Sequence, residues 1–126
     1  MNTKYLDPNL LNFLKNILDV DLNKDLIFIK NSNFEYIYVN SIFCQLFNLN
    51  TEEIIGKKDK DFFEDKNAVL ICQQSDIKAF ETSYLIHEEE AFNKNFRVLK
   101  IKINLGDKKE GLLCFAKINQ ENQYLI

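Results

Sequence analysis

Residues 25–63 read DLIFIKNSNFEYIYVNSIFCQLFNLNTEEIIGKKDKDFF, and the order of their signals decides the fold. Two runs rich in β-branched and aromatic residues, 26–30 and 34–39, flank a polar break at 31–33. That pattern predicts a β-hairpin. Asn40 and Ser41 follow at once, and either side chain can accept a backbone N–H at the start of a helix. The apolar segment 42–48 supplies that helix. Asn50-Thr51-Glu52-Glu53 then opens a further turn of helix, with two carboxylates near its positive end. Gly56 suits the left-handed residue that closes such a turn.

The flanks add one helix before this stretch and a longer helix and a sheet after it. Over 5–19, Asp7 and Pro8 read as a helix start. Leu10, Phe13, Leu14, Ile17 and Leu18 share one face at helical spacing. Residues 67–81 read as a longer helix carrying Leu70, Ile71, Ile77 and Phe80. Three strands are expected over 83–92, 95–105 and 111–118, the last two joined by a tight charged turn at 106–110. In the middle strand Leu99, Ile101, Ile103 and Leu105 alternate with Lys100 and Lys102. We read the former set as the inner face and the lysines as the wet face. Arg97 falls in the inner register. The sum is an α+β layer: a five-stranded sheet with helices on one face.

Composition bounds the function. The 126 residues fit one domain with a single core. A net charge of −3, with scattered lysines and Arg97 as the only arginine, disfavours nucleic acid as a partner. No segment reaches the ~20 apolar residues of a membrane span, and no signal peptide is evident. Cys44, Cys72 and Cys114 are far apart in apolar runs, which predicts buried, reduced thiols in a cytoplasmic protein. No nucleophile-elbow, zinc-protease or phosphate-loop motif is present, so no enzymatic activity is expected. Asp59, Asp61, Glu64 and Asp65 are interleaved with lysines and read as a solvated segment. His87, the single histidine, lies beside Glu88-Glu89-Glu90 and reads as solvent-facing, its charged form favoured by those acids.

The order hairpin, Asn-capped helix, T-E-E-I-I-G-K resembles the N-terminal half of a PAS domain. Tyr38-Val39-Asn40, Phe43, Leu46-Phe47, 51–57 and Asp61-Phe62-Phe63 carry the resemblance, which extends more weakly to about Asn119. It divides the chain into an N-terminal helix and linker (1–24), a PAS-like domain (25–119) and a tail or linker start (120–126). It implies a sensory, signal-transducing role of the two-component kind, in a bacterial cytoplasm. It also implies a cavity between sheet and helices. Phe43, Phe47, Phe63, Leu70, Gln73, Ile77, Arg97, Leu99, Ile101, Leu113 and Phe115 are the candidates to line it. Two readings stay open: a cavity that binds a small molecule, or a filled core in a domain that only dimerises or docks partners. Arg97 either pins a ligand's acid group or, the reading we favour, pairs with a neighbouring Glu at the surface.

The resemblance leaves the cofactor unknown. Haem-binding relatives take an axial His from the long helix, and 67–81 has none. Flavin-binding relatives carry an N-C-R-F-L-Q motif that is absent here. Haem and covalent flavin are therefore not expected. Many signalling members end in D-I-T, where this chain has Lys117-Ile118-Asn119. The expected partners are a small molecule, a second copy through the N-terminal helix, and an output domain such as a histidine kinase or diguanylate cyclase.

Overall fold

The structure is a computed structural model that describes residues 19–119, together with Pro8, Asn9, Asn12 and Asn16. These four are helical and exposed. The apolar face expected over 5–19 and the tail after Asn119 lie outside the described residues.

The hairpin forms as β1 (Leu26–Asn31) and β2 (Tyr36–Val39). Three short helices follow: α1 (Ser41–Phe47), α2 (Thr51–Ile54) and α3 (Asp59–Phe62). Then come the long helix α4 (Lys66–Thr82) and the strands β3 (Tyr84–Ala91), β4 (Lys94–Gly106) and β5 (Lys109–Ile118). All pairings are antiparallel, in the order β2-β1-β5-β4-β3. β1 is therefore an interior strand, beside the central β5, and is buried on both faces, as its continuous run Leu26-Ile27-Phe28-Ile29 requires.

Local chemistry fixes the joints. Asn40 caps α1 by accepting from the Phe43 N–H at 3.1 Å, and its amide donates to the Asp25 carbonyl at 2.8 Å. One side chain thus sets the helix start and ties it to the entry of β1. Asn50 and Glu53 form a reciprocal capping box on α2. Gly56 adopts φ +83°, the left-handed conformation expected of it. Two-residue turns close the last two hairpins, with positive φ at Phe92-Asn93 and at Asp107-Lys108. Such turns match the twist of the paired strands. Asn and Asp tolerate that conformation, whereas Phe92 carries strain there.

The sheet is apolar on both faces. Phe28, Tyr36, Phe43, Ile54, Phe96, Val98 and Leu112 share the core between sheet and helices. Val20, Ile27, Ile29, Leu99, Leu113 and Phe115 form a second cluster on the other face. The alternation expected in β4 is present, but its sides are reversed. Leu99, Ile101, Ile103 and Leu105 join the second cluster, while Phe96, Val98 and Lys100 lie towards the helices. A period of two says which residues share a face, not which face the helices cover.

Gly111 sits where β5 passes between Asn31 and Ile103. A Cβ there would lie 2.5 Å from the Lys30 carbonyl oxygen and 2.8 Å from Leu105 Cδ1. Backbone cannot yield as a side-chain tip can, so Gly111→Ala is expected to cost about 1–3 kcal/mol through overpacking. Urea denaturation at pH 7 checks this; an unchanged midpoint would show that the strands separate freely at this point.

Candidate functional site

The centre of the molecule holds charges where a hydrophobic core is expected. Lys30, on β1, is 1% exposed and Lys100, on β4, is 2% exposed. Lys30 Nζ donates to Asp59 Oδ2 at 2.7 Å and to Asp76 Oδ2 at 2.6 Å. Lys100 Nζ donates to Asp76 Oδ1 at 2.6 Å and to Ser75 Oγ at 2.7 Å. Asp76 therefore spends one oxygen on each lysine. The Tyr36 hydroxyl donates to Asp59 Oδ1 at 2.5 Å, and the Tyr36 ring lies 4.7 Å from Lys30 Nζ. Two ammonium groups face two carboxylates, and the set is neutral in sum.

The sequence of α4 is built for this contact. Ala68, Cys72, Ser75, Asp76 and Ala79 recur at helical spacing. All but Cys72 are fully buried, and Cys72 is half-buried. Small residues let the helix approach the sheet closely enough for Asp76 to reach both lysines. Asp65 caps the helix start through the Ala68 N–H at 3.0 Å. The expected inward face is corrected here: Leu70 is 50% and Ile77 is 40% exposed. They point away because the small and polar stripe, not the bulky one, meets the sheet.

Burial opposes every one of these charges, and pairing overcomes it. Burial lowers the Lys30 pKa, but Asp76 foremost, with Asp59 among the rest, lifts it well above the usual lysine value. Lys100 is raised in the same way, burial being outweighed with Asp76 leading. Burial would raise the Asp76 pKa, yet Lys30 and Lys100 hold its carboxyl below the usual range. Tyr36 stays a phenol, its pKa pushed well up by burial first and by Asp59. Burial also pushes the Cys72 and Cys114 thiols up to about 12, so both are inert.

Beside this network lies a cavity of about 40 Å³, between the sheet and the helices. A water centre needs ~10–15 Å³, so the space suits a few waters or a short organic molecule. Phe43, Phe47, Phe63, Phe92 and Phe96 form much of its wall, with Lys30, Lys100, Tyr36, Cys72 and Glu89 as its polar or polarisable members. The Phe47 and Phe63 rings lie 4.8 Å apart, and Phe92 is 4.9 Å from Phe47 and 4.6 Å from Phe63.

Of the residues expected to line this space, Phe43, Phe47 and Phe63 do so. Leu99, Ile101, Leu113 and Phe115 lie on the opposite face of the sheet, and so cannot reach it. Gln73 opens instead on a second cleft of about 100 Å³, with Asn33, Lys58 and Asp59. Arg97 is exposed and pairs with Glu88 at 3.2 Å, its place being on the outer face.

Two acids of the charged runs lie inside the fold. Asp59 is buried rather than solvated, because α3 turns it inward to Lys30. Glu89 is buried too, and His87 faces the helices beside it, with Nε2 3.4 Å from Glu89 Oε1. Burial lowers the His87 pKa despite Glu89, and Lys100 and Lys78 lower it further. The imidazolium is therefore disfavoured, not favoured. The signal for the buried charges was present: a lysine closing the run Leu-Ile-Phe-Ile in β1, and an aspartate at the spacing of small buried residues in α4.

The sequence model of the PAS domain family matches residues 24–117. The chain therefore belongs to the PAS domain family, a family of sensory modules. A diguanylate cyclase of Vibrio cholerae serotype O1 is 37% identical over 76 residues, 60% of this chain and 23% of that protein. The match thus spans less than a quarter of that relative. Among solved structures, the PAS domain of the histidine kinase ThkA superposes with a TM-score of 0.61 at 16% identity, covering 74% of this chain and 98% of that one. The PAS domain of Bordetella pertussis BvgS gives 0.60 at 14% identity, covering 93% and 92%. These likenesses establish the fold. Among the described residues, no helix is long and apolar enough to cross a membrane.

Removing the shared carboxylate tests the network. Asp76→Ala leaves two buried ammonium groups with one carboxylate, and is expected to cost about 3–5 kcal/mol. Asp76 has a folded pKa below its unfolded value of about 3.9. Its contribution is present above that pH and is lost as pH falls through the folded pKa. Urea denaturation at pH 7 and at pH 3 should therefore show the gap between wild type and variant narrowing in acid. A gap below about 1 kcal/mol at pH 7 would mean an exposed ion pair.

Proposed function

We propose that this domain is a cytoplasmic sensor that takes a small molecule in the cavity between sheet and helices. It passes the change to an output domain. The observation that carries this reading is that the cavity and the ion network share three side chains, Lys30, Lys100 and Tyr36. Lys30 and Lys100 line the space and also hold α3 and α4 to the sheet. A molecule that touches either ammonium group competes for contacts that fix the helices. It would then bias the packing of α4 between two arrangements. The Vibrio relative bears the name of a diguanylate cyclase, and one structural neighbour is a domain of a histidine kinase. Both support an output of that kind. Pairing of two copies through the N-terminal helix belongs to the same reading. The four described residues there are exposed and lie along one side at helical spacing.

A second reading has its own support. The rings around the cavity already contact one another, and Tyr84 and Ile86 are 62% and 50% exposed on β3, the edge strand. A domain with a filled core that docks partners along this edge would share both features.

Isobutanol separates the two. In NMR titrations of the full chain, the sensor reading predicts saturable shifts of Val98 and of the Phe47, Phe63 and Phe92 rings. Leu99 and Leu113, on the other face, should stay unmoved. Phe63→Trp, which fills the space, should abolish the effect. Shifts that are absent or linear in concentration would leave only the interaction module.

A further inference from the structure

The charges around the cavity do not balance. Lys30 and Lys100 are matched by Asp59 and Asp76. That leaves Glu89, which is 9% exposed and forms part of the cavity wall. Its Oε1 is buried and, among the described residues, has no hydrogen-bond partner. Its ion-pair contact among the described residues is His87 Nε2, at 3.4 Å and likewise without a hydrogen bond, while Lys100 lies near enough to feel its charge. A buried carboxylate short of donors costs free energy, so the cavity that Glu89 borders favours a molecule that supplies one.

The rest of the wall narrows the choice. Phe47, Phe63 and Phe92 turn aromatic surface towards the cavity, and aromatic faces attract cations. An anion is the alternative, held by the N–H that each lysine leaves unused. It would set a second negative charge beside Glu89, whereas a cation cancels the charge left over.

We propose that the cavity receives a small alkylammonium ion, its N–H donated to the Glu89 carboxylate and its carbons laid against Phe47, Phe63 and Phe92. This rests on the sensory reading of the same cavity and assigns its ligand class. The ion must be short, since the space is about 40 Å³. Its ammonium group would neutralise Glu89 and come close to Lys100, whose bonds to Ser75 and Asp76 hold α4. Repulsion between the two ammonium groups is the route from ligand to helix.

Three probes of one shape test this: isobutylammonium chloride, isobutanol and sodium isobutyrate, titrated into the full chain at pH 8 and followed by NMR. The expected order is ammonium tightest, by about tenfold over the alcohol, with the carboxylate weakest. Glu89→Gln should bring the ammonium down to the alcohol's affinity. Should that variant fail to fold, the order of the three probes on the unaltered protein still decides. Isobutyrate binding tightest, or ammonium binding no better than isobutanol, would overturn the assignment and leave the cavity reading standing. Ammonium binding that survives Glu89→Gln would overturn it as well. No saturable binding by any probe would remove both.

Discussion

Everything in this domain is arranged around one carboxylate. Asp76 is buried in α4 and divides its two oxygens between Lys30 on β1 and Lys100 on β4. A lone ion in this position would cost several kcal/mol, and a single pair would often fail to recover its desolvation. Sharing changes the balance. Each lysine gains a second partner, Asp59 for Lys30 and Ser75 for Lys100, and Asp59 is itself held by Tyr36. The network joins β1, β2, β4, α3 and α4, so it fixes where the helices sit on the sheet. Hydrophobic burial supplies the bulk of the stability, but it is non-directional. The ion network supplies the address.

This explains what the amino-acid sequence disclosed and what it did not. The five strands, the Asn40 and Asn50 caps, the Gly56 turn and the long helix were legible because each rests on local chemistry: alternation, a capping side chain, a left-handed residue. The inner face of the sheet was not. Leu99-Lys100-Ile101-Lys102 looks like a strand with a dry face and a wet one, and the rule that lysines seek water assigns the lysines outward. Here both faces are covered, and Lys100 goes inward because a carboxylate waits there. The rule's converse, that bulky apolar residues turn inward, misplaced Leu70 and Ile77, which α4 turns outward so that Ala68, Ser75, Asp76 and Ala79 can meet the sheet. Pairing across 46 residues between Lys30 and Asp76 has no local signature. The candidate site was thus legible only in part of its aromatic wall. Phe43, Phe47 and Phe63 were found from the family resemblance, while its charged floor was found only in three dimensions.

The placement of the network gives the family's sensory role a physical form. A cavity walled by rings alone would report occupancy only through packing. This one borders Lys30, Lys100 and Glu89, so an occupant meets the groups that hold the helices. The network is neutral in itself and Glu89 stands outside it. On the proposed sensor reading, a change in charge within the cavity would act on a set of bonds that span the sheet. Backbone strain at Phe92, which turns between β3 and β4 and also faces the cavity, places a second tense point at the same wall.

The central claim is that Asp76 is ionised in the interior and shared by two lysines. Its carboxyl carbon, followed by ¹³C NMR across a pH titration of the folded protein, reports this most directly. The account predicts a midpoint below the ordinary aspartate value of about 3.9, and a move upward in Lys100→Met, where one of its two cations is gone. A midpoint at or above the ordinary value would contradict it, since burial would then outweigh pairing and the lysines would not be holding the charge.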